Sequence, residues 1–200
     1  MRLTVACPYI VLFGLLSLVA ALPSAQAKAP KIAEPPKYVK FDGLQLNLAW
    51  QSEDPELPVA EFIPKGETLE KWTHLASIRR FPDLDDPQQL AKLTIDQINE
   101  QYPGAPTNIQ NDPQGNDAVI EFVVNAPDDS FAEYNVFKYG KDASGGVVAE
   151  QYALRTYGDR KEFMDGVMAQ RQKLLDEMAA TGLEAPKGES KKPKEQSKQK

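Results

Sequence analysis

Three glutamates in the C-terminal half of the chain are the residues best suited to acid–base chemistry. Glu121, Glu133 and Glu150 fall on three consecutive stretches of alternating apolar residues. If those stretches are neighbouring strands, the carboxyl groups could meet on one sheet face, as in a glycosidase. Charged residues on the solvent face of a half-exposed antiparallel sheet are the simpler interpretation. The sequence therefore assigns no catalytic residue.

His74 is the single histidine of the chain. A metal site built from several histidines is thereby excluded, and any histidine base would have to be this residue. No serine lies in a G-x-S-x-G segment that such a base could serve. We interpret His74 as a residue on a sheet face or at its edge.

Acidic clusters are the other candidates for a ligand site. Asp83, Asp85 and Asp86 precede a predicted helix, and three carboxylates could bind a hard cation such as Ca²⁺. Their D-L-D-D-P spacing is not that of an EF-hand loop, and Asp86 fits the N-cap of the helix. Residues 111–117 and 128–129 have the composition of turns. The sequence predicts no metal and no cofactor.

Aromatic residues recur along the predicted strands and could line a groove for a peptide or a glycan. Core packing and cross-strand pairs are the alternative explanation. The residues concerned are Trp50, Trp72, Tyr134, Phe137, Tyr139, Tyr152 and Tyr157.

Charge is distributed unevenly along the 200 residues, whose net charge is -6. Residues 38–185 contain 13 basic and 26 acidic side chains, whereas residues 186–200 contain six lysines and two glutamates. An acidic body repels phosphates, so no nucleic-acid partner is predicted. The lysine-rich tail could make a weak, salt-dependent contact with anionic lipid.

The first 27 residues have the three parts of a secretory signal peptide. Arg2 precedes an apolar run over residues 5–22, and Ala25 and Ala27 form the small-x-small cleavage site. A transmembrane anchor is the alternative, but Pro23 interrupts the run and no basic cluster follows closely. The sequence predicts cleavage, a periplasmic or secreted protein, and no stable membrane span afterwards.

Composition divides the rest of the chain into three parts. Residues 28–37 are predicted to be a flexible leader, residues 38–183 a single domain, and residues 184–200 a disordered lysine-rich tail. Cys7 is the only cysteine and lies within the predicted signal peptide. The processed chain therefore has no thiol for a disulfide or a metal.

Hydrophobic periodicity predicts both strands and helices. Helices are expected over 87–102, with Asp86 as N-cap, and between Asp159 and Gly182. Thr68 is expected to cap a short helical turn. Strands are expected over 44–50, 59–63, 74–81, 107–111, 118–125, 131–139 and 147–157. The apolar stripe of the last helix is expected to comprise Phe163, Met164, Val167, Met168, Leu174, Leu175 and Met178.

This order of elements predicts an α+β fold, with an antiparallel sheet that ends in a C-terminal meander and packs against two main helices. The arrangement is similar to the sandwich of PsbP-like and Mog1-like proteins. That similarity is one of topology and implies no activity.

Residues 62–73 contain a local motif. Pro64, Gly66, Glu67, Thr68 and Trp72 fit the pattern P-x-G-E-T-x-x-x-W-T. The segment resembles one found in an uncharacterised family of small exported bacterial proteins. The resemblance implies a bacterial, periplasmic protein and leaves the activity open.

Export and the absence of nucleophile, metal and phosphate motifs together favour a non-catalytic binding or accessory module. Its partner would be an envelope protein or a small ligand. The alternatives are a carboxylate-dependent hydrolase of a cell-envelope glycan and a small-ligand carrier.

Overall fold

A computed structural model describes residues 34–54, 56–143, 145–183 and 185. The predicted signal peptide, residues 28–33 of the predicted leader and all of the predicted tail except residue 185 lie outside these residues. The described elements, in chain order, are β1 (Tyr38–Phe41), β2 (Leu44–Gln51), β3 (Val59–Ile63), β4 (His74–Phe81), α1 (Pro87–Gln101), β5 (Thr107–Asn111), β6 (Asp117–Asn125), β7 (Ala132–Lys141), β8 (Val147–Thr156) and α2 (Arg160–Ala180).

All eight strands form one sheet in the order β1-β2-β3-β4-β8-β7-β6-β5, and every neighbouring pair is antiparallel. Strands β1 to β4 form one half in chain order, and β5 to β8 form the other half. The halves join where β4 pairs with β8 along the full length of β4. With two helices packed on it, the sheet confirms the predicted α+β class.

Tight turns account for how two of the strand pairs are connected. Asp42 and Gly43 both have positive φ, 51° and 72°, and join β1 to β2 through a two-residue turn. Gly145 and Gly146 have φ of 100° and 86° in the β7–β8 connection. Glycine adopts positive φ without steric cost, so this pair of glycines suits the connection.

The two helices pack on opposite faces of the sheet. Tyr134 and Val136 on β7 belong to the apolar cluster that contains α2, whereas Phe137 and Tyr139 belong to the cluster that contains α1. Side chains alternate between faces along a strand, so these two pairs define the two sides. We call them the α2 face and the α1 face.

Helix α1 follows its predicted boundaries closely. The Asp86 side chain accepts hydrogen bonds from the backbone N–H groups of Gln88 and Gln89, at 2.9 and 3.0 Å, and so caps the helix. Thr94, one of the buried residues of this helix, accepts a 2.9 Å hydrogen bond from the Tyr139 hydroxyl. The helix packs against β5, β6 and β7.

Helix α2 begins after Asp159, whose carboxylate accepts from the Glu162 N–H at 2.9 Å. Its buried residues are Val167, Leu174, Leu175 and Met178. The predicted stripe was too wide, because Met168 is 60% exposed. Met168 lies about 100° around the helix from Val167, beyond the reach of the sheet.

Two further predictions need correction. Thr68 caps no helical turn; it forms an isolated bridge with Lys71 inside a tight turn. Strand β1 was missed, because four residues are too few for an alternation to be recognised.

Among the described residues, neither helix has the length and apolar character that crossing a membrane would need.

Candidate functional site

The three glutamates do not converge on one face. The interpretation favoured from the sequence, charges on a solvent-exposed sheet face, is wrong for Glu121 and Glu133, which are each 5% exposed. Glu121 pairs across the sheet with Val136, and Glu150 pairs with Lys138, so both lie on the α2 face. Glu133 is an odd number of residues from Val136 on β7, so it lies on the other face, the α1 face, opposite Arg155. Alternation within one strand does not fix its register against the next, so the sequence alone could not decide whether the three carboxylates share a face.

Glu121 is held by partners from three elements. The Tyr134 hydroxyl donates to its carboxylate at 2.9 Å, and the Asn108 amide donates at 3.1 Å. Arg171 on α2 donates to both carboxylate oxygens through Nε and a terminal nitrogen. Glu121 is 5% exposed, so Arg171 supplies the charge that a buried carboxylate needs.

Glu133 and Arg155 form a second buried ion pair, on the other face. The Arg155 Nε donates to Glu133 at 2.6 Å, and the guanidinium lies 3.8 Å from the Trp72 ring centroid and 4.2 Å from that of Phe131. Burial raises the pKa of Glu133, while Arg155 and the Asn135 amide act in the opposite direction. The Tyr157 hydroxyl accepts from Arg155 at 3.2 Å.

A row of buried polar side chains crosses the same α1 face; we call Glu61, Ser77, Gln151 and Asn135 the polar row. Glu61 lies opposite Ser77, and Ser77 lies opposite Gln151 in the strand pairing. The Ser77 hydroxyl donates to Gln151 Oε1 at 3.0 Å, and Gln151 Nε2 donates to Asn135 Oδ1 at 2.8 Å. All four are at most 9% exposed.

The polar row lies between two structures that cover the rest of this face. On one side, α1 packs on β5 to β7. On the other, Trp72 and Leu69 of the β3–β4 connection cover an apolar group that includes Leu75. Trp50 pairs with Glu61 in the sheet and is 38% exposed, so it forms the accessible rim of the row.

A third pair of opposite charges, Glu61 and Arg79, lies at one end of the row. Burial raises the pKa of the Glu61 carboxyl, and the charge of Arg79 lowers it. Burial in turn lowers the pKa of Arg79, and Glu61 counteracts that effect. The two charges therefore offset each other at the end of the row that is nearest to Trp50.

The motif segment folds into a compact connection between β3 and β4. Gly66, with φ of 96°, follows Pro64 in the turn. Glu67 accepts from the Thr73 N–H at 2.8 Å and from its hydroxyl at 2.6 Å. These bonds fix the chain on either side of Trp72, which is 5% exposed and stacks on Arg155.

His74 lies on the α2 face at the start of β4. Its Nδ1 is 2.9 Å from the Thr73 hydroxyl, and its ring is 6.2 Å from the Tyr152 ring. Burial lowers the pKa of His74, while the charges of Glu67 and Asp42 raise it. The predicted place on a sheet face is correct.

The acidic loops act as caps and turns. Asp86 caps α1, and Asp112 accepts from the Asn116 N–H at 3.2 Å within the β5–β6 turn. Asp128 accepts from the Ser130 N–H at 3.0 Å. In the part of the chain that the structure describes, no three side chains of histidine, cysteine, aspartate or glutamate gather as metal ligands would.

The seven aromatic candidates do not form one groove. Tyr134 and Tyr152 lie in the α2-face cluster, whereas Phe137 and Tyr139 lie in the α1-face cluster. Trp72 and Tyr157 come together around Arg155, and Phe137 stacks on Tyr139 with ring centroids 5.9 Å apart. The sequence analysis missed the polar row, which takes one polar residue from each of four strands.

A protein-family model matches residues 33–183 of the chain. The chain belongs to that family, which is uncharacterised. No curated protein shows significant similarity to it.

Proposed function

We propose that the chain is exported to the bacterial periplasm, with secretion as the alternative, and that its domain is a non-catalytic binding module. Residues 1–27 support export through their signal-peptide pattern. The observation that carries the binding function is the polar row, a connected set of hydrogen-bonding side chains with Trp50 at its rim. The row itself is buried, so a ligand would reach it from its end at Trp50, which is 38% exposed. Polar groups next to an aromatic ring suit a small ligand.

The carboxylates favour binding over hydrolysis. A glycosidase needs two carboxyl groups about 5–10 Å apart on the same side of the substrate. Glu133 is on the opposite face from Glu121 and Glu150. Glu121 and Glu133 are each ion-paired with an arginine. These three carboxylates therefore do not supply the pair that the hydrolase alternative needs.

The chemistry of the row indicates an uncharged polar ligand, a short glycan or peptide of the cell envelope. Charges on this face are compensated within the protein, Glu61 by Arg79 and Glu133 by Arg155. Hydroxyl and amide groups of a ligand would complement the Glu61 end of the row, and Trp50, which pairs with Glu61, would supply a ring to stack on. An envelope protein that presents such a group is the corresponding macromolecular partner.

The proposal includes the finer assignment of the fold as a PsbP-like or Mog1-like sandwich with a C-terminal meander. Its support is the chain-order pairing of β5 to β8 and the placement of one helix on each face. It also includes membership of the exported proteins with the P-x-G-E-T-x-x-x-W-T segment. The hydrogen bond from Thr73 to Glu67 and the stacking of Arg155 on Trp72 support a structural role for that segment.

Ligand binding at the row can be tested by titration. Protein purified from exporting cells is titrated with soluble peptidoglycan fragments and with short peptides, and thermal melting is recorded alongside. We expect a saturable rise in melting temperature with one of the two classes. We expect Trp50→Ala to weaken that binding about tenfold, the equivalent of one aromatic contact.

Met168→Ala is the matched control, because Met168 is also exposed but lies on α2, on the other side of the sheet. Equal affinity of Trp50→Ala and the unmodified protein would place the ligand elsewhere. Cleaved fragments in the mass spectrum would instead support the hydrolase.

A further inference from the structure

Strand β5 forms one outer edge of the sheet and carries none of the usual protection against pairing. Its sequence, Thr-Asn-Ile-Gln-Asn, contains no charged residue and no proline, and Asn108–Asn111 are exposed. Edge strands in monomeric proteins are commonly blunted by charges, prolines or bulges. The opposite edge, β1, carries Lys40.

The backbone groups of β5 that face outward follow from its pairing with β6. Val123 donates its N–H to Pro106 O at 3.1 Å, and Asp112 donates its N–H to Asp117 O at 3.0 Å. In an antiparallel ladder, hydrogen-bonded pairs occur at every second residue. The even-numbered residues of β5 therefore bond to β6, and Thr107, Ile109 and Asn111 direct their N–H and C=O groups away from the sheet.

We infer that β5 pairs with β5 of a second copy of this chain, antiparallel, with Ile109 at the two-fold axis. In this register Ile109 lies opposite Ile109, and Thr107 lies opposite Asn111 of the other copy. All are residues whose backbone groups face outward, so the three pairs form six main-chain hydrogen bonds. The inference is independent of the ligand proposed for the polar row.

A second copy fits this edge because the strand is self-complementary. The two-fold register places Asn108 opposite Gln110 of the other copy, so amides face amides and no like charges meet. A two-fold axis also closes the assembly after two subunits. Pro106 and the turn that begins at Asp112 limit the ladder to five residues per copy, so the dimer is expected to depend on concentration.

Sedimentation velocity over a range of concentrations tests the dimer. Ile109→Pro removes the outward N–H at the centre of the ladder and leaves the bonds to β6 in place. The loss of two main-chain hydrogen bonds is expected to raise the dimer dissociation constant about 30-fold. Ile109→Lys keeps the backbone N–H donor but sets two positive charges opposite each other, so it should also weaken the dimer. Met168→Lys, which adds the same charge elsewhere on the surface, is its control.

Amide hydrogen exchange measured by NMR gives a readout that other interfaces would not reproduce. On raising the concentration, the N–H groups of Thr107, Ile109 and Asn111 should become protected. Those of Asn108 and Gln110 should be protected already, because they bond to β6. A protein that stays monomeric, a dimer unaffected by Ile109→Lys, or a ladder that forms only with an added extended peptide would each overturn the inference.

Discussion

Replacing Arg155 with methionine should destabilise the protein far more than replacing Arg155 and Glu133 together. The guanidinium bonds to Glu133 and lies between the rings of Trp72 and Phe131, and its side chain is 7% exposed. Arg155→Met leaves the Glu133 carboxylate without its cation in a position that is 5% exposed. Removing one partner of a buried pair costs about 3–5 kcal/mol.

The double variant Arg155→Met/Glu133→Leu should lose no more than about 1 kcal/mol. Replacement of a buried ion pair by apolar residues of similar volume is often neutral or stabilising. Methionine retains contact with the two aromatic rings through its thioether. The free energy of unfolding of a domain is about 5–15 kcal/mol, so the difference between single and double variants is measurable.

Urea unfolding followed by far-UV circular dichroism is the suitable assay, because Trp72 fluorescence would itself change with Arg155. Acidification should restore part of the stability of Arg155→Met. Without the arginine the pKa of Glu133 rises further above its unfolded value, so the folded state takes up a proton first. A double variant at least as unstable as Arg155→Met would refute the reasoning, since the lost stability would then come from packing.

Two further predictions concern the β7–β8 connection and a buried carboxyl. Gly145→Ala should destabilise the protein by about 1–2 kcal/mol, the cost of a side chain at positive φ. Gly146→Ala should cost well over that amount, because its new Cβ would also overlap the Phe81 carbonyl oxygen. Urea unfolding of the two variants measures the difference. Burial raises the pKa of Glu150, so the folded protein favours the protonated carboxyl group. The stability that the protonated Glu150 contributes is fully present below the ordinary pKa of 4.5 and is lost as pH rises through the raised pKa. Glu150→Gln should therefore be more stable than the unmodified protein at pH 7, and this difference should vanish near pH 4. Melting temperatures of the two proteins that depend on pH in the same way would contradict this prediction.

The sequence was informative wherever a local signal determines local structure. Asp86 and Pro87 located the start of α1, and the alternation around Ile120 located β6. Both signals depend on residues that are close in the chain, where capping and side-chain alternation act directly.

The arrangement of side chains from different strands was out of reach. Glu121 and Glu133 each follow a clear alternation, yet they lie on opposite faces because the register between β6 and β7 decides which face each occupies. The polar row was missed for the same reason, since Ser77 and Gln151 are 74 residues apart in the chain. Sequence periodicity carries no information about such distant pairs.

The seam between β4 and β8 has a consequence for how the chain folds. Each half of the sheet consists of neighbouring strands joined by short connections, so each can form from local contacts. The seam instead joins residue 74 to residue 154 and residue 81 to residue 147, and closing such a long loop is slow. We expect the meeting of the two preformed halves to limit the folding rate, so that mutations within the seam slow refolding while mutations at the outer strands mainly speed unfolding.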